Sequence, residues 1–201
     1  MNERFYDLCC NVLRPIAHIL FPMKIEGVEN VPDVGGFILC CNHMSMIDPV
    51  YLAVSVRGRR IHFMAKAEVF KTKVLGPIAT AVGAFPVDRG HSDLNAVRTS
   101  LKILSEGRPL GIFPQGTRSK GNVRTPMLGG VSMIALRAGV PVIPAYIHGP
   151  YKLFRKGYIR FGKPVELASF GRRFDAETMQ KVTQAIDDAV WAMAPQSGAE
   201  K

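Results

Sequence analysis

Apolar positions along this chain follow two spacings. Near the start, Phe5, Leu8, Cys9, Val12, Leu13, Ile16, Ile19 and Leu20 recur at steps of three and four, while Arg4, Asp7, Asn11, Arg14 and His18 recur on the other side. That pattern predicts an amphipathic helix, which Pro15 should bend. Its stripe can lie in a membrane interface with the basic residues toward headgroups, or against the domain's own core. Further on, short β-branched or apolar runs at 37–41, 61–65, 110–114, 140–147 and 158–162 predict strands. Helical spacing fills the gaps. One helix should start at Pro49, and another spans 93–106 with Ser92 as N-cap and Gly107 past its end. A third spans 131–138 before Gly139, and a last one follows Asp175, striped by Met179, Val182, Ile186, Val190 and Met193.

Strands alternating with helices predict an α/β fold, a mostly parallel central sheet flanked by helices, preceded by the amphipathic, membrane-surface helix. The expected boundaries are 1–23 for that helix, 24–194 for the folded domain and 195–201 for a flexible tail. With 201 residues, 47% of them hydrophobic and 21% charged, one well-filled core is expected. No stretch reaches the roughly 18 to 20 uninterrupted apolar residues that cross a bilayer.

Charge sharpens the picture. The net charge of +10 favours anionic partners. From 107 to 165 there is no acidic residue, yet Arg108, Arg118, Lys120, Arg124, Arg137, Lys152, Arg155, Lys156, Arg160 and Lys163 all fall there, more than surface ion pairing should account for. Nucleic-acid surfaces interleave aromatics with such cations, whereas here the aromatics sit inside apolar runs, which argues against nucleic acid. The four cysteines form two adjacent pairs, Cys9-Cys10 and Cys40-Cys41, with no metal-ligand spacing; they read as apolar filler in a reducing compartment.

Candidate chemistry gathers where strands end. After the run closing at Cys41 comes Asn42-His43-Met44-Ser45-Met46-Ile47-Asp48-Pro49. In one helix, residues five apart diverge by about 140°, so His43 and Asp48 can meet only across a turn. Asp48-Pro49 supplies a helix start for such a turn. A carboxylate on one imidazole nitrogen would leave the other free to take a hydroxyl proton; alternatively Asp48 is only a cap and His43 only a turn residue. Phe113-Pro114-Gln115-Gly116-Thr117-Arg118-Ser119 offers a close backbone approach at Gly116, hydroxyls at Thr117 and Ser119, and a planar fork at Arg118, which suits phosphate as well as a tight turn. Phe85-Pro86-Val87-Asp88-Arg89-Gly90 places a second arginine after a strand-like run, with Asp88 available to neutralise it. Val140-Pro141-Val142-Ile143-Pro144-Ala145 reads as core or acyl-chain wall. His18, His62, His91 and His148 match no motif and read as surface or packing residues.

In order, the blocks NHMSMID, FMAKAEVF, AFPVDRG, FPQGTRS and VPVIPA resemble the glycerolipid acyltransferase family, in particular its lysophosphatidic acid acyltransferases; GVENVP before them and FGKPV after them fit as well. The resemblance implies that His43 deprotonates the acceptor hydroxyl, that Asp48 orients it, and that Lys66, Arg89, Gly116, Thr117 and Arg118 hold the acceptor's phosphate. It implies direct attack of 1-acylglycerol 3-phosphate on an acyl-CoA or acyl carrier protein thioester, with no metal and no bound cofactor, by a peripheral or monotopic enzyme at the cytoplasmic face of an anionic membrane. The missing GxSxG elbow agrees, since no acyl-enzyme is then needed. Glycerol 3-phosphate and other lysophospholipids are the competing acceptors; a lipid-binding module without catalysis and a phosphoesterase are the competing classes. The latter lacks the carboxylate or histidine cluster of a metal-dependent hydrolase. One departure stands out: family members commonly carry Glu where this chain has Gln115, which makes the pocket more positive.

Overall fold

The computed structural model describes residues 1–88, 93–119, 123–149, 151–171 and 174–195. In chain order its elements are α1 (Glu3–Leu20), β1 (Met23–Glu26), β2 (Ile38–Cys41), α2 (Asp48–Ser55), β3 (His62–Lys66), α3 (Ala67–Phe70) and α4 (Leu75–Ala81). There follow β4 (Phe85–Val87), α5 (Leu94–Ser105), β5 (Leu110–Ile112), α6 (Gly130–Ala138), β6 (Val142–His148), β7 (Gly157–Phe161) and α7 (Ala176–Trp191). The strands make one sheet in the order β1-β7-β6-β2-β5-β3-β4. Every neighbouring pair is parallel except β6 with β7, as the strand–helix alternation predicted.

Burial explains why the central runs are apolar without alternation. In β2, Leu39 and Cys41 face one core with Tyr51 and Leu52 of α2, while Ile38 and Cys40 face a second core with Ile103 of α5, Ile134 of α6 and Ile186 of α7. A parallel strand covered by helices on both faces must be hydrophobic at every position. All four cysteines are free, and Cys40 and Cys41 are fully buried. Val142, Ile143 and Ala145 are also fully buried, so the apolar proline-containing run is core.

Helix ends follow local chemistry, with two corrections. Asp175 caps α7 by accepting from the Thr178 N–H at 2.7 Å, and Gly139 closes α6 in the left-handed conformation at φ 61°. Ser92 lies outside the described residues; the cap of α5 is Asp93, whose Oδ1 accepts from the Asn95 and Ala96 N–H groups at 2.9 Å each. Asp48 does not cap α2 either. It is the first residue of that helix, and its carboxylate reaches backwards to the preceding loop.

α1 runs through Pro15 without interruption. It docks on the domain by its narrower, more polar side. Tyr6 Oη accepts the Ile61 N–H at 3.1 Å, Arg14 Nε donates to the Val54 carbonyl at 2.9 Å, and Asp7 pairs with Arg60 at 2.7 Å. Most of the apolar stripe is left outside: Leu8 is 59% exposed and Ile19 66%, with Val12 and Ile16 between them also exposed, while Phe5, Cys9 and Leu20 are half-buried. The stripe is therefore not what covers the core.

The acid-free segment proves less one-sided in space than in sequence. Arg108 pairs with Glu106, Arg124 with Asp187 and Asp188, and Arg160 with Glu26. Acids before and after the block thus neutralise part of it.

Candidate active site

Parallel strands deliver their carboxyl ends to one edge, and the loops leaving that edge carry the candidate chemistry. β2 leads to His43, β3 ends at Lys66, and β5 leads to the 113–119 loop. Pairing of Lys66 with Val87 brings the end of β4 alongside.

The chain leaves β2 by a specific device. Backbone pairing with β6 ends at Cys41 opposite Ala145. The buried Asn42 side chain then donates from Nδ2 to the Ile147 carbonyl at 2.9 Å and accepts at Oδ1 from the Ile147 N–H at 2.8 Å. With the neighbouring strand satisfied by a side chain, the backbone can turn away and present His43.

His43 is held on all sides. Its N–H donates to Gln115 Oε1 at 2.8 Å, and its carbonyl accepts from the Ser119 N–H at 2.9 Å and Oγ at 3.0 Å. Its ring stacks on Phe113 with centroids 4.3 Å apart, and Phe113 stacks on Phe63 at 5.9 Å. Gly111 makes room for that column, because a Cβ there would come within 2.2 Å of the Phe63 ring. Nδ1 lies 2.9 Å from Asp48 Oδ2.

Asp48 is fully buried and each of its oxygens is engaged. Oδ2 also accepts from the Met44 and Ser45 N–H groups at 2.7 Å each, and Oδ1 accepts from Tyr151 Oη at 2.6 Å. A carboxylate surrounded by donors accepts from the ring as well, which sets the tautomer of the neutral imidazole: Nδ1–H faces Asp48 and Nε2 keeps its lone pair. This is the arrangement of a general base with its orienting partner. The expected meeting of His43 and Asp48 across a turn is present, and it depends on two residues that sequence spacing did not single out, Asn42 and Tyr151. Tyr151 sits at φ 46°, an uncommon conformation for an aromatic residue. Burial, reinforced by the neighbouring Asp48 charge, pushes its hydroxyl well above the ordinary tyrosine range, which keeps it a proton donor. Burial likewise holds the Cys41 thiol well above its usual value, with Asp48 adding to the effect, so Cys41 is not a nucleophile.

The residues expected to meet phosphate are more open. Lys66 lies at the end of β3 with its ammonium 3.1 Å from Glu68. Gly116 adopts φ 69°, a conformation favouring glycine, and Thr117 and Arg118 are exposed beside it. Arg89 lies outside the described residues, and so does any pairing of it with Asp88. Gln115 is buried; its Nε2 finds no hydrogen-bond partner among the described residues.

A cavity of about 700 Å³ lies at the same edge, with Met64, Val97, Ile112, Leu128, Ile134 and Met179 among its mainly apolar walls. Phe113 lines it too, so one ring borders both the cavity and the imidazole.

A family model described as Acyltransferase matches residues 22–148, from just before β1 to the end of β6. The chain is 34% identical over 190 residues to the 1-acyl-sn-glycerol-3-phosphate acyltransferase of Bacillus subtilis (strain 168), covering 92% of this chain and 94% of that one. It is 31% identical over 170 residues to the protein of the same name from Streptococcus pneumoniae (strain ATCC BAA-255 / R6), covering 80% and 62% respectively. The crystal structure of PlsC from Thermotoga maritima, described as a 1-acyl-sn-glycerophosphate (LPA) acyltransferase, has the same fold with a TM-score of 0.71, at 24% identity and covering 96% of this chain and 80% of that one.

Proposed function

Because the chain belongs to the acyltransferase family, we propose that it transfers a fatty acyl group from a thioester, acyl-CoA or acyl carrier protein, to the free hydroxyl of 1-acylglycerol 3-phosphate, giving phosphatidic acid. The observation carrying this reading is the saturated Asp48 carboxylate, which commits the proton to Nδ1 of His43 and leaves Nε2 as base. Nε2 takes the hydroxyl proton as the oxygen attacks the thioester carbonyl. The tetrahedral intermediate then collapses by breaking the carbon–sulfur bond, and the imidazolium returns its proton to the departing thiolate. The products are an ester and a free thiol, with no acyl-enzyme and no cofactor.

Lys66, Gly116, Thr117 and Arg118 hold the acceptor phosphate at the mouth of the site, with Arg89, outside the described residues, as a further ligand of it, while the apolar cavity behind Phe113 takes the acyl chain. Its volume falls in the range typical of ligand pockets, roughly 300–1,000 Å³. The protein works at the surface of an anionic membrane, with the exposed stripe of α1 in the interface; no helix among the described residues is long and apolar enough to cross a membrane.

The test is acyl transfer from labelled acyl-CoA and acyl carrier protein to 1-acylglycerol 3-phosphate, glycerol 3-phosphate and lysophosphatidylcholine, with His43→Ala alongside. Transfer to 1-acylglycerol 3-phosphate that disappears in the variant is expected. A folded chain that transfers to none of the three, with vesicles present, would overturn the reading in favour of lipid binding without catalysis.

A further inference from the structure

Between β6 and β7 the sequence reads Tyr151-Lys152-Leu153-Phe154-Arg155-Lys156. Two of its residues, Tyr151 and Phe154, sit at positive φ, 46° and 61°. Such a backbone is unfavourable for aromatic residues and persists only where its surroundings impose it. Here two hydrogen bonds do so. The Phe154 N–H donates to the carbonyl of Leu20, the last residue of α1, at 2.7 Å, and Tyr151 Oη donates to Asp48 at 2.6 Å.

The result is a turn that carries its apolar residues outward. Leu153 is 56% exposed and Phe154 68%, and Lys152, Arg155 and Lys156 around them are exposed as well. The nearest acid after them in sequence is Glu166, and the nearest before them is Glu106. The tip also abuts the end of α1 that carries exposed Ile16 and Ile19. Two large apolar side chains ringed by cations complement the headgroup boundary of an anionic bilayer, with the rings and branches among acyl chains and the cations at phosphates.

We propose that the 151–156 turn is a second membrane-inserting element, which seats Leu153 and Phe154 in the interface of an anionic bilayer beside α1. The proposal rests on the reading of this protein as a membrane-surface enzyme. Tyr151, in the same turn, donates to Asp48, so the inserting turn is tied by one hydrogen bond to the His43–Asp48 pair.

The experiment uses the full chain and vesicles of phosphatidylcholine with and without phosphatidylglycerol. Leu153→Ser with Phe154→Ser should lower partitioning onto the anionic vesicles by about tenfold or more, while leaving the circular dichroism spectrum and transfer to detergent-dispersed acceptor unchanged. In a Trp191→Phe background, Phe154→Trp should give an indole whose fluorescence is quenched by lipids brominated in their acyl chains. An unquenched indole, or a serine pair that sediments like wild type, overturns the proposal. A parallel Ile16→Ser, Ile19→Ser variant separates the two readings. If it alone is released from vesicles, the membrane-surface reading stands and the turn has no part in it; a wild-type chain that stays in the supernatant removes both.

Discussion

The two halves of the candidate site are built on opposite plans. Around the imidazole, the groups are fixed: Asp48 is inaccessible to solvent and receives four donors, and His43 is pinned through its ring, its N–H and its carbonyl. Around the expected phosphate position, Lys66, Thr117 and Arg118 are exposed, and among the described residues Lys66 is held only by a surface pair with Glu68, the kind of contact worth roughly 0–1 kcal/mol. A proton transfer is sensitive to fractions of an ångström and to tautomer, so the base needs an over-determined setting. A phosphate presents a large charge that flexible cations can follow, and it must enter and leave. The difference predicts that defects in the first half strike turnover and defects in the second strike affinity.

The most severe test of that division is Asp48→Asn. It should lower kcat roughly 10²–10⁴-fold, within the range that general-base catalysis contributes, while KM for the acceptor changes little; a rise in KM at preserved kcat would erase the distinction. Arg118→Ala addresses the other half. KM for 1-acylglycerol 3-phosphate should rise about tenfold or more, as expected for losing a hydrogen bond to a charged group, with kcat nearly intact. Tyr151→Phe removes one of the four donors to Asp48 without changing shape. We expect kcat to fall about tenfold, KM to hold, and the loss to be absent when Asp48→Asn is already present.

The smallest effect concerns an imidazole of a third kind. His62 is buried, and its Nδ1 lacks a hydrogen-bond partner among the described residues; burial first, and the charge of Arg108 second, push its pKa below the ordinary histidine value of 6.5. As pH falls through 6.5, the unfolded chain takes up a proton that the folded chain resists, so stability complete above that value is lost below it. Melting temperature should therefore drop between pH 7 and pH 5, and His62→Phe should flatten the drop by a few degrees.

Much of this was legible in the sequence where the signal is local. The apolar runs that became β2, β3, β5, β6 and β7 sit within one or two residues of the expected strands at each start, and Asp175 and Gly139 bound helices as their chemistry dictates. β1 escaped notice because Met23-Lys24-Ile25-Glu26 is half polar and gains its pairing only from β7, more than 130 residues away. β4 is a three-residue edge strand carrying Pro86, a residue tolerated at edges, and it showed in the sequence only as a short strand-like run. The pairing of His43 with Asp48 lay in a five-residue spacing. Tyr151 stands 103 positions from Asp48 with no periodicity linking them, and its role exists only once the sheet has folded. The alternative that Asp48 is only a cap fails because the imidazole and the preceding loop outcompete the helix for its oxygens.

Asn42 has a consequence for how such a site can change. It works as a splice: an amide stands in for one rung of the ladder and ends the strand one residue early. Only a side chain with both a donor and an acceptor at this reach can close the Ile147 pair. Aspartate lacks the donor, alanine lacks both, and glutamine is longer by one carbon. Without the splice, the Ile147 groups would be satisfied most readily by the main chain itself. β2 would then grow into position 42, and because successive residues in a strand point to opposite faces, the direction in which His43 leaves the sheet would be reset. The address of the base is thus written in its neighbour, and a substitution at Asn42 could misplace the imidazole while leaving every residue that handles the proton in the sequence.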